Sequence, residues 1–298
     1  MKPVAHFNVD THIHPFLKGQ TYPFSLSVGN LIKIKGKEKI EIISLKSQSS
    51  IDEAILCRFP QLKLLITRTV GTDHIDLVAC KKRGIEVKNI PDYGARNIAE
   101  HALALLMNGA RSIVQANGSV HRGLFSYEDF LGTSFKGKVL GVMGTGRIGL
   151  ELIRLTRGFD MKTVCFDAFK NSDAEKELGF SYVSLPVLLK VADFISIHVP
   201  LLDSTRHLMG EREMGMMKKG AVLVNTSRGE IIDEKALLRH IKKCKAVCLD
   251  VIENEKRFTL RNPLLKHTNV ILTPHIGFYT DDSIETIGKK TEEYITHY

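Results

Sequence analysis

Cysteine is scarce in this sequence: five residues, an odd number, with no C-x-x-C pair. That excludes the disulfide framework by which small secreted domains are stapled. Cys244 and Cys248 are spaced to share a helix face, but reduced, buried thiols are the plainer reading of them. No apolar run approaches the roughly 20 residues needed to cross a bilayer. The longest tempting piece, residues 101–107, is bounded by Glu100 and Asn108. The N-terminal stretch MKPVAHFNVD lacks the apolar core of a secretory signal, so the chain is expected in the cytoplasm. There is no internal repeat and no low-complexity tract. Missing as well are the marks of a nucleic-acid binder. The basic residues are dispersed, in 33–39, 81–83, 218–219 and 242–245, no aromatic residues interleave with them, and no helix-turn-helix or zinc-finger spacing occurs. The excess of 42 basic over 33 acidic residues, a formal charge of +9, therefore reads as a solvated basic surface that attracts anionic ligands. Neither nucleic acid nor membrane is an expected partner.

What the sequence does contain is a chain of 298 residues with 43% hydrophobic and 25% charged residues, enough for two globular domains with sizeable cores. Its organising stretch is K-V-L-G-V-M-G-T-G-R-I-G, residues 138–149, and its continuation to Asp167. Residues 139–143 have the length and apolarity of a buried strand. A G-x-G-x-x-G triplet, Gly144, Gly146 and Gly149, opens directly out of it, and residues 150–158 carry apolar side chains at helical spacing. A second apolar run, 163–166, ends in Asp167. Glycine triplets alone are common, but strand, triplet, helix, strand and terminal acid in that order fit a bound dinucleotide. Gly144 makes the tight turn, Gly146 lets a pyrophosphate approach the backbone, and Gly149 lets helix and strand pack closely. The helix N-terminus offers N–H groups and partial positive charge to the phosphates. Asp167 accepts from a ribose hydroxyl, and its charge favours NAD by repelling the 2′-phosphate of NADP.

Along the rest of the chain, strands are expected at 40–45, 62–67, 85–87, 194–199, 221–225, 246–249 and 270–272. Helices are expected at 51–59, 77–83, 97–111, 173–178, 185–191, 234–242 and 283–298, with another ending at 214–217. This alternation argues for parallel βαβ units. The long helix 97–111 and the polar, glycine- and serine-containing segment 115–135 look like a domain junction. Residues 1–30 are the least legible. Within them Asp10-Thr11-His12-Ile13-His14-Pro15 contains the H-x-H with which amidohydrolase-type metal sites begin, since alternation would put both imidazoles on one face of a strand. That fold is a barrel, whereas the middle of this chain is committed to a doubly wound sheet, so surface or loop histidines are preferred and no metal is expected.

Ligands of open α/β sheets gather beyond the carboxyl ends of the strands. Three strands here run into polar clusters: 222–224 into Asn225-Thr226-Ser227-Arg228-Gly229, 247–249 into Asp250-Val251-Ile252-Glu253-Asn254-Glu255, and 270–272 into Thr273-Pro274-His275-Ile276-Gly277. An arginine, a set of acids and a histidine would converge beside the dinucleotide. Hydride transfer to a ketone needs a proton donor, which histidine supplies near neutral pH. A carboxylate beside the imidazole orients it and favours its charged form. A guanidinium grips a substrate carboxylate with two parallel hydrogen bonds and polarises the carbonyl.

With these residues in view, the chain resembles the D-2-hydroxyacid dehydrogenase family. The similarity runs from about Ile40 to the C-terminus through R-T-V-G-T-D-H-I-D, N-I-A-E-H-A-L-A-L-L, G-T-G-R-I-G, A-D-F-I-S-I-H-V-P-L, N-T-S-R-G, L-D-V-I-E-N-E and T-P-H-I-G-F-Y-T. The resemblance implies two doubly wound parallel-sheet α/β domains: a Rossmann cofactor domain, 95–276, and a smaller flavodoxin-like substrate domain made of 1–94 plus 277–298, with the active site in the cleft. It implies Arg228 as the substrate-binding arginine, His275 as acid/base, and Glu255, five residues past the aspartate of L-D-V, as its partner in preference to Glu253. Val70 and Gly71 would offer backbone N–H groups to the substrate carboxylate. Arg147, Ile148, Asp167, Val199, Pro200, Thr205, Thr226 and Asp250 would line the NAD site with the three glycines, and homodimerisation through the cofactor domain would be usual. Three features depart from the family pattern or mark a branch of it. The first forty residues match poorly and leave the substrate domain small; Lys256 stands where many members have proline; and Phe278-Tyr279, with Tyr93, resembles the D-lactate dehydrogenase branch. Tyr93 and Phe278 then pack on the substrate, and a pyruvate-like 2-keto acid is favoured. The rival reading is an NAD-sensing co-repressor of the same fold, which binds the cofactor without useful turnover.

Overall fold

Most of the strands are short runs buried on both faces, as strands covered by helices on either side must be: I-I-S-L, L-L-I-T, F-I-S-I, V-L-V-N and A-V-C-L are buried at every position. The structure, a computed structural model, describes residues 2–298. It divides into two compact units, one of Met1–Gly94 with Tyr279–Tyr298 and one of Ala95–Phe278. The Phe278 ring, at the end of the second unit, packs edge-on against His275, 6.2 Å between centroids.

The first unit contains β1 (Val4–His6), β2 (Gln20–Thr21), β3 (Ile42–Leu45), α1 (Glu53–Leu56), β4 (Leu64–Thr67), α2 (Leu77–Lys82) and β5 (Glu86–Asn89). All strand pairs are parallel and the order is β2-β1-β3-β4-β5, the flavodoxin-like arrangement with its reversal between β1 and β3. The poorly matching first forty residues thus complete this sheet: β1 inserts beside β3 and forms the outer pair with β2. Asp52 and Asp76 cap α1 and α2 by accepting from Ile55 N and Ala79 N; α2 starts at Leu77 as expected, whereas the Asp52 cap starts α1 two residues later than expected. One sheet face packs a core around Phe7, Leu26, Ile43, Leu56, Phe59 and Leu65. The other is covered by the C-terminal helix Asp281–His297, whose Tyr294 and Ile295 lie on Val4, Ile42, Leu64 and Ile66.

The D-T-H-I-H-P segment is not a strand. Asp10 accepts from the backbone of His12 and Ile13, and a 3-10 helix follows at His14–Phe16. Both histidines are exposed, and His12 Nδ1 is bonded to Tyr279 Oη at 2.8 Å.

The second unit runs α3 (Ala95–Arg111), α4 (Ile113–His121), β6 (Val139–Met143), α5 (Arg147–Thr156), β7 (Lys162–Phe166), α6 (Ser172–Leu178), β8 (Ser181–Tyr182), α7 (Leu185–Val191), β9 (Phe194–Ile197), α8 (Glu211–Met216), β10 (Val222–Asn225), α9 (Glu234–His240), β11 (Ala246–Leu249) and β12 (Val270–Leu272). The expected polar junction at 115–135 is partly helical. The chain turns at Ser112, φ +52°, and resumes as α4. Cys244 and Cys248 share no helix; Cys248 is in β11 and Cys244 in the turn before it, and burial pushes their thiols up to about 12 and about 11.

The parallel seven-stranded order is β12-β11-β10-β9-β6-β7-β8, a doubly wound sheet that reverses between β6 and β9. Helices α7, α8 and α9 cover one face through Leu188, Met214 and Leu237, and α3, α5 and α6 the other through Leu106, Leu152 and Leu178. No helix among the described residues is long and apolar enough to cross a membrane.

Two imidazoles are sealed into these cores. In the first unit His6 sits between Ser44 Oγ, 2.7 Å, and Lys18 O, 3.1 Å, beside the fully buried Arg68, which donates to Ser44 Oγ, Phe7 O and Asn8 O. In the second His198 meets Ser196 Oγ at 2.8 Å. Desolvation by burial lowers both from 6.5 to about 4, so both are neutral in the fold. The unfolded chain then takes up more protons than the folded one between those values, and stability falls as pH drops from about 6.5 towards 4, by on the order of 3 kcal/mol for each imidazole. Thermal unfolding across this window should show that fall in the wild type and a shallower one in His6→Asn and His198→Asn; a midpoint independent of pH would contradict the burial of neutral rings.

Candidate active site

At the carboxyl end of β6 the glycines are required by contact. Gly144 has φ +97°, and a Cβ on it would stand 2.7 Å from the carbonyl of His198 at the end of β9. A Cβ on Gly149 would lie 2.0 Å from Gly144 O, so α5 can pack against the turn only without a side chain there. Gly146 differs: a Cβ on it meets no protein atom within 4 Å, and the residue is exposed. Open space therefore lies over the backbone where α5 begins, and no cap side chain satisfies the first-turn amides. Arg147 and Ile148 form the first turn, with Arg147 exposed and Ile148 packed on the core.

Asp167 stands at the end of β7 and receives Thr145 N at 2.6 Å, Thr145 Oγ1 at 3.0 Å and Phe169 N at 3.0 Å. Tyr182 Oη holds Thr145 Oγ1 at 2.7 Å, and the Lys170 ammonium lies over the Tyr182 ring. Val199 and Pro200 follow β9: Val199 O accepts from Ser227 Oγ at 2.9 Å and Pro200 O from Thr205 Oγ1 at 2.6 Å. Thr226 is buried, and its hydroxyl has no hydrogen-bond partner. An orphaned buried hydroxyl, an open approach to the backbone at Gly146 and an acid at the tip of the second strand fit a dinucleotide.

The neighbouring strands deliver an arginine, two acids and a histidine. Asn225, Leu249 and Leu272 lie side by side across β10, β11 and β12, so the loops that follow leave from one edge. Gly229 lets two of them close together, since a Cβ there would be 2.0 Å from the Ile252 backbone. Arg228 is half-buried; its guanidinium donates to Ser227 O at 2.9 Å while Asn225 Nδ2 holds its carbonyl at 2.8 Å. His275 Nδ1 faces both oxygens of Glu255 at 3.1 Å, which assigns the proton to Nδ1 because the carboxylate only accepts. Glu253, the other acid of the loop, is engaged elsewhere, with His207 Nε2 at 2.5 Å.

Asp250 follows β11 at the same edge. Its side chain is only 2% exposed and is turned into the His275 loop. Burial alone would raise its pKa, but bonds from His101, Thr273, Ile276 and Gly277 outweigh that and hold it below the usual range. His101 and Thr273, together with Thr145 and Tyr182, are site residues that the sequence reading does not single out. Thr273 adjoins His275 in T-P-H, whereas a lone histidine on the apolar helix α3 gives no signal of its own.

In the first unit, Val70 and Gly71 form the loop after β4, with Val70 O accepting from Asn89 Nδ2 at 2.7 Å and Gly71 O from Thr69 Oγ1 at 2.6 Å. Tyr93 is half-buried, and its carbonyl accepts from Ser283 Oγ at 3.0 Å.

A family model described as "D-isomer specific 2-hydroxyacid dehydrogenase, NAD binding domain" matches residues 103–277. A glyoxylate reductase of Thermococcus litoralis is 40% identical over 248 residues, covering 80% of this chain and 74% of that protein. A D-3-phosphoglycerate dehydrogenase of Archaeoglobus fulgidus is 36% identical over 89% of this chain, which spans only 50% of that longer protein. The solved D-lactate dehydrogenase of Aquifex aeolicus, complexed with NAD and lactic acid, superposes with a TM-score of 0.89 at 36% identity over 98% of this chain and 94% of that one.

The close-packed Gly149 and the open Gly146 predict separable effects. Gly149→Ala should lower both the thermal midpoint and NADH affinity. Gly146→Ala should leave the midpoint unchanged yet weaken NADH binding about tenfold, roughly 1.4 kcal/mol, because its methyl occupies the space kept for pyrophosphate. Fluorescence titration with NADH beside thermal unfolding checks both; undiminished affinity in Gly146→Ala would place the phosphates elsewhere.

Proposed function

Because the chain belongs to the D-isomer specific 2-hydroxyacid dehydrogenases, we propose that it interconverts a small 2-keto acid and the corresponding D-2-hydroxy acid, with pyruvate-like acids favoured. NAD is its cofactor, and when bound it supplies or accepts the hydride. The observation that carries the reading is the His275–Glu255 pair at the sheet edge that also presents Arg228.

In this reading His275 is the acid/base. With Nδ1 held by Glu255, Nε2 is left to give a proton to the carbonyl oxygen in reduction and to take one from the hydroxyl in oxidation. Glu255 fixes the ring and offsets the imidazolium charge, an effect moderated by its 36% exposure. Arg228 grips the substrate carboxylate and polarises the carbonyl, and the backbone N–H groups of Val70 and Gly71 take up the same carboxylate. Tyr93 and Phe278 pack on the small substituent. Gly144, Gly146, Arg147, Ile148, Gly149, Val199, Pro200, Thr205, Thr226 and Asp250 line the cofactor site, with Asp167 receiving the ribose hydroxyls. A small substrate accords with the glyoxylate reductase and lactic-acid-bound relatives, and the aromatic pair Phe278-Tyr279 favours a methyl substituent over a polar one.

We assign the cofactor unit a second task, homodimerisation. Support comes from a run of apolar side chains left in solvent after α4: Phe125, Tyr127 and Leu131 are 93%, 86% and 85% exposed. Sedimentation should give a dimer, and Phe125→Asp should shift it towards monomer; a monomeric wild type would refute this assignment.

Turnover tests the main reading directly. NADH oxidation over pyruvate, glyoxylate, hydroxypyruvate and longer or branched 2-keto acids should reveal steady consumption, most rapid with the smallest acids. Binding of NADH without turnover of any acid would favour a cofactor-sensing protein instead. Arg228→Leu should lower kcat/KM at least about a hundredfold, roughly 3 kcal/mol, while NADH affinity is retained. Unchanged turnover in that variant would remove Arg228 from its role.

A further inference from the structure

The residue between the first two glycines of the turn, Thr145, is buried against Asp167. Its backbone N donates to Asp167 Oδ2 at 2.6 Å and its Oγ1 to the same oxygen at 3.0 Å, while Phe169 N donates to Asp167 Oδ1 at 3.0 Å. A carboxylate offers about four lone-pair sites. The protein fills three of them, and the one left, on Oδ1, is the one that can take a ribose hydroxyl.

What holds the Thr145 hydroxyl in this pose comes from the edge of the sheet. The short strand β8 lies against β7 with Tyr182 opposite Cys165. Tyr182 N donates to Glu175 Oε1 at 3.0 Å, and the ring stands edge-on to Phe180, 5.2 Å between centroids. The phenol so placed reaches Thr145 Oγ1 at 2.7 Å and accepts from Asn171 N, in the loop after Asp167, at 3.0 Å. An amide only donates and a carboxylate only accepts, so the protons run one way: Asn171 N–H to Tyr182 Oη, Tyr182 O–H to Thr145 Oγ1, Thr145 O–H to Asp167 Oδ2. One phenol thereby ties the glycine turn to the loop that follows the acid.

We propose that Tyr182, acting through Thr145, is a positioning residue that sets the choice between NADH and NADPH. It locks the Asp167 carboxylate in the rotation that keeps one acceptor for a ribose hydroxyl and a fixed negative charge against a 2′-phosphate. The inference rests on the ribose-binding role given to Asp167 above. Without the phenol, Thr145 Oγ1 loses its donor and the carboxylate is free to turn. NADH then forfeits part of a hydrogen bond, whereas NADPH loses nothing from an acid that swings aside. The Tyr182 ring also carries the Lys170 ammonium, 5.9 Å from its centroid, so Tyr182→Phe removes the hydroxyl while keeping that contact. Thr145→Val deletes the second hydroxyl of the chain at similar volume, and Thr145→Ser keeps it.

The test measures dissociation constants for NADH and NADPH by fluorescence titration, beside thermal unfolding. It compares the wild type with Tyr182→Phe, Thr145→Val, Thr145→Ser, the Tyr182→Phe/Thr145→Val double variant and Asp167→Ala. Tyr182→Phe should weaken NADH about three- to tenfold, the worth of one hydrogen bond, and leave NADPH unweakened, so the preference for NADH shrinks by that factor. Thr145→Val should do the same, and Thr145→Ser should keep the preference. The double variant should fall no further than either single one, because both cut the same chain. An unchanged NADH-to-NADPH ratio in Tyr182→Phe overturns the proposal. So do additive losses in the double variant, or an equal loss of both cofactors with a lowered thermal midpoint, which would make the chain structural only. Should Thr145→Val not fold, Tyr182→Phe and Thr145→Ser decide. Undiminished NADH affinity in Asp167→Ala refutes the ribose role of Asp167, and this inference with it; a loss there with none in Tyr182→Phe leaves that role standing and sinks this inference alone.

Discussion

Parallel pairing is the constraint on which the rest depends. Every strand pair in both sheets is parallel, so within each sheet all carboxyl ends emerge at one edge and the helices are driven onto the two faces. In the seven-stranded sheet this gathers Gly144, Asp167, Val199, Thr226, Arg228, Asp250 and His275, spread over more than a hundred residues of sequence, at one rim. The reversal between β6 and β9 opens that rim, and the close approach of Gly144 to the His198 carbonyl shows how tightly the two strand ends flank it.

Charge in the second unit is handled by what each carboxylate faces. Glu255 is partly solvated and faces the His275 imidazole. Asp250 is sealed and saturated with donors, which converts the cost of burying an anion into a fixed loop conformation. Asp167 stands between these extremes, bonded to the turn it borders through Thr145. Three acids in one unit thus differ in environment more than in chemistry.

Much of this was legible in the sequence because it is local. The strand, glycine triplet, helix and terminal acid of 138–167 are contiguous, and steric necessity at Gly144 and Gly149 leaves few alternatives. The N-terminal forty residues were opaque for a converse reason: β1 and β2 are three and two residues long and the helical segments are short 3-10 turns, so no periodicity could accumulate. The interruption at Ser112 and the helix after it were missed because a polar, glycine-containing segment scores as loop until its neighbours are known.

The sequence by itself determined the two parallel α/β units, the dinucleotide turn and the residue types at each strand end, since apolar periodicity and glycine sterics act between near neighbours. Only the tertiary structure decided which partner each polar group takes: Glu255 with His275 and Glu253 with His207, His12 with Tyr279 in a turn, and Asp250 with His101 from a helix some 150 residues away. Those choices depend on strand order and on how loops close over one another. Such contacts join segments that chain spacing does not relate.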